Sequence, residues 1–202
     1  MPQTFEVAVI IGSLRKASLC RKVAKAMMAL APDTVNCRVV EIGDLAMYNE
    51  DLETEAPAPW TRFRDDIEKA HAIVFVTPEY NRTVPGCIKN AIDVGSRPKG
   101  KNVWDGKPAA VISVTPSKLG AFGANHVLRQ SFVFLNMPAM QQPEAYLSLV
   151  GDMFDERDQL KFEANRDFFS YYMFAFARFI AMHNADVSTP NFADWMKQRA
   201  GS

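Results

Sequence analysis

The chain has 202 residues, 48% of them hydrophobic and 23% charged, which is the composition of an ordinary globular protein and excludes a disordered, fibrous or disulfide-stapled one. Its 23 Lys and Arg balance 23 Asp and Glu, so no overall charge draws it to nucleic acid or to an anionic membrane; any anion must be held locally. Cys20, Cys37 and Cys87 are odd in number and contain no CxxC pair, which argues against a zinc ribbon or disulfide framework and for a reducing cytoplasm.

The length fits one domain over residues 1–202, with a C-terminal helix and tail from about 155 to 202. The first residues, MPQTFEVAVIIGS, have no basic region and no small-residue cleavage site, and do not read as a signal peptide. EVAVII at Glu6 to Ile11 is a short apolar run that ends at Gly12, as a strand buried on both faces should. From Ser18, a natural cap, Leu19, Val23, Met27 and Leu30 recur at helical spacing until Pro32.

The alternation then repeats. CRVVEI at Cys37 to Ile42 is strand-like, and Trp60, Phe63 and Ile67 share one face of a helix opened by Pro57 and Pro59. AIVFVT at Ala72 to Thr77 is a third strand, and Pro85 and Gly86 introduce a helix through Asp93. AAVISV at Ala109 to Val114 is a fourth strand, Asn125 to Leu135 a helix, and Ala139 to Gln142 a short fifth strand. A long helical pattern follows from roughly Asp155 to Asn184, and the tail after Val187 has no clear period. Its aromatic stripe, Phe168, Tyr172, Phe176 and Phe179, reads as part core and part subunit interface. The apolar stretch from Phe168 to Met182 falls short of a membrane span and carries Arg178, so no membrane insertion is expected. Alternating strands and helices predict an α/β fold, a doubly wound parallel sheet of five strands with helices on both faces.

In such a sheet ligands bind at the carboxyl ends of the strands, near the point where the strand order reverses. After the first strand comes GSLRKAS, Gly12 to Ser18, with two hydroxyls, a guanidinium and the amides of a helix N-terminus, a set that suits a phosphate dianion. It has neither the three glycines of GxGxxG nor the GK[ST] of a P-loop, so a single terminal phosphate fits better than a dinucleotide. Taken alone, the loop also reads as a capped helix with solvated cations. After the third strand, Thr77-Pro78-Glu79-Tyr80-Asn81-Arg82-Thr83-Val84-Pro85-Gly86 is stiffened by two prolines. Such a loop can present backbone groups to the edge of a flat heteroaromatic ring, and Tyr80 can cover a face. Taken alone, it is also a plain crossover.

The pairing of GSLRKxS with PEYNxxxPGxxKNAID resembles the NADPH-dependent FMN reductase family, especially its quinone and chromate reductase branch. The likeness continues through WDGKP, HVLRQ, VFLNMP and QPE and covers about Val7 to Asp155. It implies a flavodoxin-like fold with one FMN per chain, NADPH or NADH as co-substrate, a quinone or free flavin as acceptor, and a homodimer or a homotetramer built of dimers. By the same resemblance Ser13, Arg15 and Ser18 hold the phosphate, with Cys20 beside it where the family commonly has Asn. Pro78, Glu79, Tyr80, Asn81 and Thr83 line the isoalloxazine, and the loop from Thr115 to Gly120, with Ser117, approaches from the other side. Val94 replaces the usual Trp after NAID, SKLGAFG replaces a glycine-rich loop, and Gly123 and His126 replace an Arg and a Tyr used in some tetramers.

The flavin would then carry the chemistry, with hydride passing from nicotinamide to flavin N5 and two electrons on to the acceptor, so no catalytic acid or base is expected. His71, His126 and His183 share no ligand spacing with the cysteines, and no metal is expected. Two other readings use the same fold: a flavodoxin-type electron carrier that never meets nicotinamide, and a flavin-free sensory domain. Carriers of that type tend to be strongly acidic, whereas this chain is neutral and places Arg15 and Lys16 at the phosphate loop.

Overall fold

The structure, a computed structural model, describes residues 4–184; the tail after Val187 lies outside them. β1 (Phe5–Ile11) leads to α1 (Leu19–Ala29), and β2 (Val35–Val39) leads to α2 (Ala58–Glu68). β3 (Ala72–Thr77) leads to α3 (Gly86–Ser96), β4 (Ala109–Val114) to α4 (Phe122–Leu135), and β5 (Ala145–Leu147) to α5 (Glu163–His183). All pairings are parallel and the order is β2-β1-β3-β4-β5, the flavodoxin-like arrangement expected from the alternation. The order reverses between β1 and β3, so the chains leaving their carboxyl ends diverge and open a crevice.

β3 and β4 are buried at every residue, as their continuous apolar sequences require of strands covered on both faces. Alternate residues serve opposite layers. Val7, Val9, Val74, Val76 and Ile112 pack with α1 and α5, while Ala8, Ile10, Ile73, Phe75 and Val111 pack with α2, α3 and α4. Of the aromatic stripe on α5, Tyr172 and Phe176 are fully in the core, and the Tyr172 hydroxyl donates to Val111 O at 3.0 Å; Phe168 and Phe179 are partly buried beside them. Tyr171 and Phe174 turn outward on the same helix.

Trp104 is a keystone of the other layer. It is fully buried, its ring lies 5.8 Å from that of Phe63 and 5.9 Å from that of Phe75, and Nε1 donates to Ile92 O at 3.1 Å. Gly95 makes this possible, because a Cβ there would stand 2.5 Å from the indole.

Several boundaries differ from the sequence expectation: β2 is Val35–Val39 rather than Cys37 to Ile42, α3 runs on to Ser96 rather than ending at Asp93, α4 begins at Phe122 rather than Asn125, and two others differ more. The fifth strand is Ala145–Leu147, and the expected Ala139 to Gln142 segment contributes only a single bridge from Ala139 to Ala109 before Pro143 interrupts it. The long helix starts at Glu163 rather than near Asp155, because Asp155 Oδ1 accepts from Arg157 N at 2.8 Å and Gln159 N at 2.9 Å and folds its own turn there. Among the described residues no helix is long and apolar enough to cross a membrane.

Candidate active site

The first loop begins with a close approach that only glycine permits. Gly12 N donates to Val76 O at 2.8 Å, and a Cβ on Gly12 would lie 2.3 Å from Ile88 Cδ1 and 3.2 Å from Pro78 Cδ. Ser18 caps α1 by accepting from Arg21 N at 3.1 Å, as its position in the sequence predicts. Ser13 and Ser18 are buried, whereas residues 14–17 are exposed. None of the backbone N–H groups from Ser13 to Ser18 donates a hydrogen bond among the described residues. A run of free amides at a helix N-terminus, with the Arg15 guanidinium beside it, is the donor set a phosphate takes.

The second loop is a tight reversal. Tyr80 and Thr83 exchange backbone hydrogen bonds of 2.9 and 3.0 Å, and Asn81 and Arg82 between them have φ of 51° and 67°. That left-handed pair marks a type I′ turn, for which Asn is among the best non-glycine residues. Glu79 turns away from the crevice. Its Oε2 accepts from Ala124 N at 3.2 Å and so caps α4, where the helix dipole favours a carboxylate, while Oε1 accepts from Arg82 at 3.3 Å. Gly123 leaves the room for this contact, since a Cβ there would be 2.7 Å from Arg82 O and 2.9 Å from Glu79 Oε2. With its side chain so engaged, Glu79 offers a ring its backbone. The amides of Glu79, Asn81 and Arg82 have no partner among the described residues.

The two loops meet across a cavity of about 420 Å³ floored by Gly12. Leu14 and Arg15 stand on one side, Tyr80, 47% exposed, on the other, and Pro85, Gly86 and Cys87 close the back. Of the ten expected site residues, Arg15 and Tyr80 line this cavity, while Ser13, Ser18, Cys20, Pro78, Glu79, Asn81, Thr83 and Ser117 lie outside its lining. Cys87 is a lining residue that sequence reasoning passed over; its signal was its place directly after the Pro85-Gly86 opening of α3. In the third loop Thr115 Oγ1 accepts from Ser117 N at 3.1 Å, and Ser117 O accepts from Leu149 N at 3.1 Å. Gly120, at φ 63°, is pressed on Tyr146, and its carbonyl accepts from Ser113 Oγ at 2.6 Å.

The thiols are not poised for chemistry. Cys20 packs in the core, where burial pushes its thiol up to about 12, so what it can offer a ligand is its backbone amide. Burial likewise raises the Cys87 thiol. Beyond the crevice, Tyr146 donates to Glu144 at 2.7 Å and pairs with His126 Nε2 at 3.0 Å; burial, then the Glu144 bond, pushes its phenol up to about 12. Among the described residues no three His, Cys, Asp or Glu side chains converge to hold a metal.

A loop with the donors a phosphate takes and a stiff backbone-rich loop, paired at the switch point of a flavodoxin-like sheet, form the frame of a flavin mononucleotide oxidoreductase. The comparisons with known proteins agree. The family described as NADPH-dependent FMN reductase matches residues 5–152. A quinone reductase of Pseudomonas putida is 54% identical over 186 residues, 92% of this chain and 100% of that protein. A 2-hydroxy-1,4-benzoquinone reductase of a Burkholderia species is 35% identical over 87% of this chain and 96% of its own length. Among solved structures, FerB, a flavoenzyme NAD(P)H:(acceptor) oxidoreductase from Paracoccus denitrificans, superposes with a TM-score of 0.85 at 39% identity, covering 89% of this chain and 99% of that one. The chain belongs to the NADPH-dependent FMN reductase family.

Proposed function

We propose that this chain is an FMN-dependent NAD(P)H oxidoreductase whose acceptor is a quinone. The observation that carries the reading is the free-amide loop with Arg15 facing the Tyr80 loop across one crevice, in a chain of this family. Ser13, Arg15, Ser18 and the amides of residues 13–18, with that of Cys20, hold the phosphate. Pro78, Glu79, Tyr80, Asn81 and Thr83 line the ring, chiefly through backbone, and the Ser117 loop borders it from the side of β4. FMN, when bound, supplies the two-electron chemistry, taking hydride from reduced nicotinamide and passing reducing equivalents to the acceptor. The chain's own part is to bind and orient, which is why no acid, base or thiolate is needed in the crevice.

The names of the Pseudomonas and Burkholderia relatives support a quinone as acceptor and favour an enzyme over a flavodoxin-type carrier; the family's description supports free flavin as a second acceptor. The chain works as one domain and as a homodimer or homotetramer. Val133 and Phe134, 83% and 90% exposed on α4, are the kind of apolar surface that a second copy covers. Its three free thiols suit a reducing cytoplasm.

The test is steady-state oxidation of NADPH and NADH by the yellow protein over a panel of quinones and flavins; no oxidation with any acceptor overturns the reading. Arg15→Ala is expected to weaken FMN binding by about 1–3 kcal/mol, the range for a charge-assisted contact, read by fluorescence titration of the apoprotein. Unchanged affinity would remove Arg15 from the site.

A further inference from the structure

The KNAID stretch, Lys89 to Asp93, belongs to the motif that carries the family resemblance, yet none of its side chains lines the crevice. Asn90 is buried there with its amide fully engaged. Its Oδ1 accepts from Tyr48 N at 2.7 Å, and its Nδ2 donates to Leu45 O at 3.2 Å and to Ala46 O at 3.0 Å. All three partners lie in the connection between β2 and α2, 42 to 45 residues earlier. Trp60 Nε1 also donates to Ala46 O, at 2.9 Å, and its indole stacks on Tyr48 with ring centres 5.6 Å apart. Loops are ordinarily the loosest parts of a fold; this one is fastened from two helices at once.

The loop is fastened beside the crevice. Asn90 stands one turn after Gly86 and Cys87, which close the back of the cavity, and so shares their face of α3. At the other end of the loop Gly43 comes against Leu14, a second lining residue, since a Cβ on Gly43 would lie 3.2 Å from Leu14 Cδ2. Residues 43–48 therefore run from Leu14 to α3 and flank the crevice. The flank is apolar and open to solvent: Leu14 is 56% exposed and Met47 73%. Met47 is also clamped, because Ala46 O and Tyr48 N on either side of it are both held by Asn90. A large apolar side chain on a fixed backbone is preorganised to meet a ligand, since little freedom is left to lose on binding.

The polar demands of FMN fall on the amides of residues 13–18, on Arg15 and on the backbone of the Tyr80 loop, none of which Leu14 or Met47 can share through its side chain. What they offer suits hydrocarbon. We propose that residues 43–48 form the wall against which the acceptor lies, with Met47 and Leu14 meeting its apolar part and Asn90 as the positioning residue that holds Met47 in place. The proposal rests on the quinone reading above and narrows it to quinones with apolar bulk, naphthoquinones ahead of unsubstituted benzoquinone. Asn90 itself touches neither flavin nor acceptor.

The experiment is steady-state kinetics of the FMN-loaded protein at saturating NADPH, with menadione, a methylnaphthoquinone, and benzoquinone as the varied acceptors. The natural chain, Met47→Ser, Asn90→Ala and the double variant are compared. The natural chain is expected to have the lower KM for menadione. Met47→Ser, at an exposed position that should leave the fold intact, is expected to raise that KM about tenfold, the scale for apolar groups lost from a pocket, and the KM for benzoquinone several-fold less. Asn90→Ala should raise the KM for menadione in the same way with kcat within about twofold. The double variant should then be no worse than Asn90→Ala alone, because the clamp matters only through the side chain it clamps. An equal rise for both quinones in Met47→Ser, or no rise, overturns the wall. Additive effects in the double variant, or a loss of kcat in place of a rise in KM, overturn the positioning role; if Asn90→Ala does not fold, Met47→Ser still decides the wall. A natural chain that reduces neither quinone overturns the quinone reading itself.

Discussion

Gly12→Ala is expected to reduce NADPH oxidation roughly 100-fold, the scale of effect when reacting groups are displaced by about 1 Å. The new methyl would fall 2.3 Å from Ile88 Cδ1 and 2.9 Å from Ile88 Cγ1, and Ile88 is fully buried, so it has nowhere to retreat. Pro78, 3.2 Å away, is the other neighbour that must give, and it is the first residue of the ring loop. The overpacking itself should lower stability by about 1–3 kcal/mol. Turnover of the FMN-loaded variant, with its melting temperature measured alongside, is the check. A variant that is as active as the natural chain would show that the approach of the two loops is not what sets the crevice.

Trp104→Ala should lower the unfolding free energy by about 3–5 kcal/mol, as removal of a fully buried aromatic side chain does. Its loss empties the space bounded by Phe63, Phe75 and Gly95 and leaves Ile92 O without the indole donor. For a chain of this size the melting midpoint should drop by about 10 °C. Urea unfolding followed by far-ultraviolet circular dichroism measures it. A loss under 1 kcal/mol would mean that α3 and the sheet close over the cavity. Flavin affinity of the folded variant should change little, because Trp104 does not line the crevice.

The sheet and its helices were legible because each element carries its own period. AIVFVT and AAVISV are continuous apolar runs, and Trp60, Phe63 and Ile67 repeat at helical spacing. The fifth strand was not, since three residues are too few to show a period and the prolines at 138 and 143 frame a more strand-like decoy between them. The start of α4 was hidden for another reason. The expectation of Asn125 came from the residues in line, whereas the helix begins at Phe122 after Ala121 in a left-handed conformation and takes its cap from Glu79 across the fold. A cap donated from 45 residues away leaves no local trace.

The two loops could be picked out from their residues and from the family resemblance, but that Arg15 and Tyr80 line one cavity could not. What composition could not reveal is direction. Glu79 belongs to the expected ring loop but aims its carboxylate at α4, and Cys20 follows the phosphate loop but points its thiol into the core. Under the proposed assignment each contributes through its main chain, which the identity of the side chain does not announce.

That main-chain character bears on how such a crevice can change over generations. The free amides of residues 13–18 and of Glu79, Asn81 and Arg82 persist whatever side chains the exposed positions carry, provided Gly12, Gly123 and the prolines keep the path of the backbone. Exposed side chains such as Leu14, Tyr80 and Thr83 are therefore open to replacement without forfeiting the cofactor. A lineage could drift from one electron acceptor to another by altering the rim alone, and a directed-evolution library confined to those positions should yield many flavin-loaded members with divergent acceptor profiles.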